Sequence, residues 1–177
     1  MKGLTQPPAE PNGNSFTVRQ LISYLNDHLA GSVSAIELLD HLIKTHSEEP
    51  LGKFIQELRA DIVADQEVLK KIVQRFNANE SAIRKAGGWL AEKIARIKLA
   101  AAGQKNWQLG LVQALEILVL GITGKQLLWR ALNASIGTSP LLRGIDLVRL
   151  EERAIEQIER LETQRLEIAR EVLLRMK

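Results

Sequence analysis

The residues of this 177-residue chain that could do chemistry are three histidines, His28, His41 and His46, and a scatter of acids. A di-metal oxidation centre between helices takes a Glu from each of two helices and a Glu-x-x-His pair from each of two others. Positions i and i+3 share a helix face, so both side chains reach the same ions. Here Leu25, Leu38 and Ile43 stand three residues before the histidines, and the pattern is absent. On one helix, His28 and His41 would sit roughly 20 Å apart along the axis, too far to share an ion. His41 and His46 would point about 140° apart around it. What remains is a carboxylate set, Glu37, Asp61, Asp65 and Glu116, with His41 as a further donor. Oxygen donors alone suit hard ions such as magnesium or calcium. An atypical carboxylate-rich metal-binding oxidoreductase built on them requires that they converge in the centre of the molecule. Among those acids, Glu116 falls in an apolar run, where a carboxylate needs a partner from a crossing helix. Asp61 and Asp65 read as half-exposed acids paired with Lys or Arg. His28 follows Asp27, but adjacent helix residues do not face each other, so no acid–base pair is expected.

Other chemistries have less to stand on. With no cysteine in the sequence, disulfides, thiolate metal sites and cysteine nucleophiles are excluded. Gly121-Ile-Thr-Gly124-Lys125 is too short for a phosphate-binding loop and lies inside a helical pattern. The expectation is no catalytic residue, no metal and no cofactor.

Charge offers a third possibility. Net charge is +3, but Ala82 to Lys105 carries six cations against Glu92 alone. Lys85, Lys93, Arg96 and Lys98 form the centre of this basic segment. It suits an anionic membrane surface or a nucleic acid if the cations share one exposed face. Helical projection spreads them over more than a right angle, so nucleic-acid binding is not expected.

All these residues must be positioned by helices. Apolar residues step by three and four from Val18 through Ile22, Leu25, Leu29, Val33, Ile36 and Leu39 to Ile43, the stripe of a buried helix that starts at a Thr17–Gln20 capping box. A second stripe runs from Leu51 to Phe76. Its expected apolar residue between Ile62 and Leu69 is replaced by Asp65 or Gln66, so a polar group approaches the core there. Segment Ser81–Ala101 is shorter and weakened by Gly87–Gly88. A fourth helix, about Asn106–Ala134, carries Leu111, Leu115, Leu118, Ile122, Trp129 and Leu132, and Gly110, Gly121 and Gly124 would let a neighbour approach closely. Trp89 and Trp129 read as anchors of the core or the crossover. The last helix starts after Asp146 and runs to about Arg175. Its stripe is Leu147, Leu150, Ala154, Ile158, Leu161, Ile168 and Val172.

The first 15 residues hold three prolines and no apolar run, and read as a flexible tail, not a signal peptide. The most apolar stretch, Leu109–Ile122, is shorter than the roughly 20 residues a membrane span needs, so it reads as a core helix. Residues 16–177 form one domain, and a cytoplasmic location is expected. Short connections make the first two long helices one antiparallel hairpin and the last two another. The nearly 30 residues between the hairpins would cross the length of the bundle and carry an extra short helix.

LRADIVADQEVLKKI, WLAEKIARIKL and ALEILVLGITGKQLLWRAL resemble uncharacterised bacterial ferritin-like proteins that lack the di-iron ligands. The resemblance spans about Phe16 to Leu174 and implies an all-α, ferritin-like four-helix bundle. It implies no activity. The expected role is a non-catalytic binding or interaction module, with a homodimer through helix faces as a possible assembly.

Overall fold

The computed structural model describes residues 13–47, 50–76, 107–135, 137 and 139–174. Four long helices, α1 (Gly13–Thr45), α2 (Pro50–Arg75), α3 (Trp107–Ala134) and α4 (Leu147–Leu174), account for nearly all of these residues, with one 3₁₀ turn at Pro140–Leu142. No strand occurs among the described residues. At 1.5 Å per residue each helix is about 40–50 Å long. The expected helix at Ser81–Ala101, the anchor Trp89 and the basic residues Lys85, Lys93, Arg96 and Lys98 lie outside the described residues.

Local chemistry sets the starts of α2 and α4. Pro50 opens α2, where its missing N–H costs nothing and its fixed φ suits the first turn. Asp146 caps α4, its Oδ1 accepting from the Arg149 backbone N–H at 2.9 Å, the capping role expected from sequence. Gly144 takes a φ of 75°, the left-handed region that glycine enters without penalty, and so turns the chain from the 3₁₀ turn into α4. The start of α1 differs from expectation. The helix begins at Gly13, so Thr17 lies inside it and is not its first residue, and Gly13–Ser15 belong to the helix and not to a tail.

Cross-helix contacts give the direction of each helix. Asp40 pairs with Arg59, and Ser32 with Gln66, so α1 and α2 run antiparallel. Glu116 pairs with Arg165, and Arg130 with Glu151, so α3 and α4 do too. Asp65 meets Arg153 while Asp61 and Glu57 meet Arg160, which makes α2 antiparallel to α4. Since α2 and α3 both oppose α4, they are parallel to each other, and the end of α2 lies at the opposite end of the bundle from the start of α3. Arg75 fastens the end of α2 to the second hairpin by donating to the carbonyls of Leu141 and Arg143 at 2.9 and 3.1 Å.

One core runs through both hairpins. Leu25, Leu29, Leu38, Leu39, Ile55, Leu58, Ile72, Leu115, Leu118, Leu128, Trp129 and Leu161 are its most deeply buried members. The apolar stripe of α3 is buried as expected. That of α1 is buried at Leu25, Leu29 and Leu39, but Val33 is exposed, and Leu38 and Leu42, outside the expected stripe, also turn inward. The helix also buries Asn26, Ala30 and Ser34, which carry no strong apolar signal.

The reading of α3 as a core helix holds for one face only. Gln108–Ala134 is long and apolar enough to cross a membrane by length and composition, and 39% of the 18-residue window that meets this test is buried. Its other face leaves Leu120 at 68% and Leu127 at 53% exposure.

Candidate functional site

The polar residue that interrupts the stripe of α2 is Asp65, whose carboxylate is 1% exposed. A carboxylate so deep stays charged only beside a cation, and the second hairpin supplies two. The Lys125 ammonium donates to Oδ2 at 2.6 Å and to Gln157 Oε1 at 2.5 Å. Gln157 Nε2 returns a bond to Asp65 Oδ2 at 3.2 Å. The Arg153 guanidinium lies 3.0 Å from Oδ1. That contact is an ion pair without hydrogen-bond geometry, and Oδ1 has no hydrogen-bond donor among the described residues. The next residue, Gln66, donates to Ser32 on α1 at 2.9 Å, and the Ser32 hydroxyl in turn donates to the Leu29 carbonyl. Burial pushes the Lys125 ammonium below the ordinary lysine value, while Asp65 pulls it back up through charge and hydrogen bond.

Beside this cluster lies a cavity of about 280 Å³ between α1, α2 and α3, partly open to solvent, its wall almost wholly apolar. Its lining includes Gly31, Ser32, Gly121, Gly124, Lys125 and Trp129. The sequence suggests that Gly121 and Gly124 admit a neighbouring backbone. Instead, a Cβ at Gly31, Gly121 or Gly124 would meet nothing within 4 Å. These glycines keep space open. Two buried polar groups nearby lack partners among the described residues: the indole N–H of Trp129, in the cavity wall, and the side-chain amide of Asn26 on α1.

No protein-family model, curated protein or solved structure matches this chain. The site is therefore read from its own geometry.

The four carboxylates of the metal reading are each placed. Glu37 is exposed on α1. Glu116, expected in apolar surroundings, is exposed instead and pairs across the helices with Arg165 at 3.2 Å. Asp61 is half-exposed and pairs with Arg160 at 3.2 Å, as its type suggested. Asp65 is paired as expected but buried where half-exposure was expected, because α3 and α4 bring their cations inward. Among the described residues no group of three or more His, Asp or Glu is arranged to hold a metal ion.

The histidines are not grouped. His46 is buried at the turn between α1 and α2, and His41 lies along α1. His28 packs edge-on against the Tyr24 ring with centroids 4.7 Å apart, and it lines the cavity. Burial lowers its pKa below the ordinary 6.5, with the Asp27 charge opposing. The folded state then holds the imidazole proton less tightly than the unfolded chain. Stability is complete where both states are neutral, above about 6.5, and is lost as pH falls through the lowered folded value. Urea titrations at pH 7.5 and pH 5 are expected to show a smaller acid-side loss for His28→Gln than for the native chain. An equal loss in both would remove His28 from the account.

Lys125 and Gln157 escaped the sequence reading, although a signal for Lys125 was present. The stripe of α3 jumps from Ile122 to Trp129 as that of α2 jumps from Ile62 to Leu69. Two matching seven-residue gaps on neighbouring helices are the trace of one buried ion pair. Gln157 sits between Ala154 and Leu161 where Ile158 satisfies the period, so nothing marks it.

Proposed function

We propose that this chain is a non-catalytic, ferritin-like helical binding module whose ligand occupies the cavity between α1, α2 and α3. The observation that carries the reading is the open, apolar 280 Å³ cavity kept clear by glycines on both facing helices. A soluble core packs to crystal density, and three glycines inside helices each cost about 1 kcal/mol relative to alanine. Space retained at that cost favours occupation by a ligand. The ferritin-like assignment is supported by two antiparallel hairpins set so that α2 and α3 run parallel. The acids that a metal centre would need are engaged with arginine or lysine, Glu37 apart, which favours binding over redox chemistry.

The test uses naphthalene, a rigid apolar probe, in equilibrium dialysis with the full chain. About one molecule per chain is expected to bind the native protein and none the Gly121→Leu variant, provided that circular dichroism shows the variant folded. Absence of binding to the native protein, or equal binding to both, overturns the reading. Gly124→Leu serves as a second filling variant should Gly121→Leu not fold.

A further inference from the structure

The wall of the cavity narrows what it accepts, and this step rests on the binding reading above. Size comes first. A dry apolar cavity of about 150 Å³ holds one benzene ring; this one, at about 280 Å³, is nearly twice as large and suits a fused bicyclic or a chain of comparable bulk.

Polarity comes next. Lys125 on the wall pairs with Asp65 at 2.6 Å, and Arg153 behind it leaves the cluster one positive charge in excess, which the lining carboxylate Asp27 offsets. Asp27 would repel an anion, and Lys125 would repel a cation. A charged ligand would therefore shed its water without gaining a free counter-charge.

Two donors are left over. The Trp129 indole N–H is buried without an acceptor among the described residues; the ring lines the cavity but this atom is covered, so a ligand reaches it only if the ring turns in the wall. An ammonium has three protons, and that of Lys125 spends two, on Asp65 and Gln157. A buried donor without a partner is costly, and a ligand that supplies an acceptor removes the cost. Asp65 Oδ1, the wall's spare acceptor, is already faced by Arg153 at 3.0 Å.

From these observations we infer that the cavity selects an uncharged, apolar molecule of roughly bicyclic size bearing a carbonyl acceptor, which takes its hydrogen bond from Trp129 or Lys125.

Three probes of nearly equal shape separate the elements of this inference: 2-acetonaphthone, which has the carbonyl; 2-isopropenylnaphthalene, in which a methylene replaces the oxygen; and 2-naphthoate, which is charged. Equilibrium dialysis against the full chain is expected to give the ketone about fivefold tighter binding than the hydrocarbon, the fold-change of one ordinary hydrogen bond. The naphthoate is expected to bind weakest. Trp129→Phe keeps most of the ring bulk and removes the N–H, and Lys125→Met removes the ammonium. One of the two is expected to abolish the ketone's advantage, read as the ratio of ketone to hydrocarbon affinity within the same variant.

Ketone and hydrocarbon binding equally, or naphthoate binding best, would overturn the inferred ligand class while the cavity reading stands. Failure of all three probes to bind would overturn both. If both variants keep the ketone's advantage, the assignment of the donor to Trp129 and Lys125 is wrong.

Discussion

Asp65→Asn is expected to lower the unfolding free energy by about 3 kcal/mol, the low end of the cost of breaking a buried ion pair. The substitution keeps the size of the side chain and one acceptor oxygen, so no hole opens. What it removes is the only anion in contact with Lys125 among the described residues. Arg153, 28% exposed, can turn toward water, but Lys125, 15% exposed, is held far more tightly. For a domain of this length the loss corresponds to roughly 10 °C in Tm. It should also change sign-sensitive behaviour with pH. Without Asp65 the amine sheds its proton more readily, so the variant should recover stability relative to the native chain as pH rises from 7 toward 10. Lys125→Met should cost less, because Asp65 retains Arg153 at 3.0 Å and Gln157 at 3.2 Å. Replacing Asp65, Lys125 and Gln157 together by leucine or methionine should be nearly neutral, since burying charges costs about what their attraction returns. Urea unfolding of the set measures all of this. A neutral Asp65→Asn would show that the pair contributes little.

Gly52→Ala and Gly124→Ala are the same chemical change with opposite expected signs. Gly52 lies in the first turn of α2, and a Cβ there would fall on the backbone carbonyl of His46, which ends the preceding turn. The obstacle is main chain and cannot rotate aside. Either α2 or the turn must move, and Leu51 and Ile55 leave their places in the core with it. Overpacking of this kind costs 1–3 kcal/mol and occasionally more, so a loss of about 3 kcal/mol is expected. At Gly124 a Cβ meets nothing within 4 Å, and alanine should stabilise by about 1 kcal/mol through helix propensity alone. Unfolding of the two variants under one set of conditions decides the matter. A stabilising Gly52→Ala would mean that the turn is looser than its geometry.

The helices and most of their buried faces were legible in the sequence because apolar spacing is a direct record of burial. The stripe of α3 and the cap at Asp146 are examples. Alternation failed along α1, where Val33 satisfies the period yet points outward, and the small residues Ala30 and Ser34 take the buried places. Small side chains can be buried or exposed at little cost, so periodicity does not weigh them. The site was half legible. Asp65 was visible as a polar residue at a core position, but its partners come from helices 60 and 92 residues further on, and sequence spacing within one helix carries no information on them. The cavity was not legible at all, because glycine in a helix marks a close approach and an empty space alike.

The ion cluster has a consequence for how the hairpins align. Asp65 comes from the first hairpin, while Lys125, Arg153 and Gln157 come from the second. A slip of one turn, 5.4 Å, would set Asp65 against Gly121 and Ile122 in one direction or Leu128 and Trp129 in the other. The second leaves the carboxylate in hydrocarbon, at a cost of several kcal/mol; the first gives up Lys125 and Gln157 for Arg160, which now pairs with Asp61 at 3.2 Å nearer the surface. Leucine stripes alone would tolerate such a slip, since one turn of leucines resembles the next. The cluster therefore acts as a keyed joint: it adds little net stability, yet it makes one alignment of the two halves better paired than the alignments a turn away.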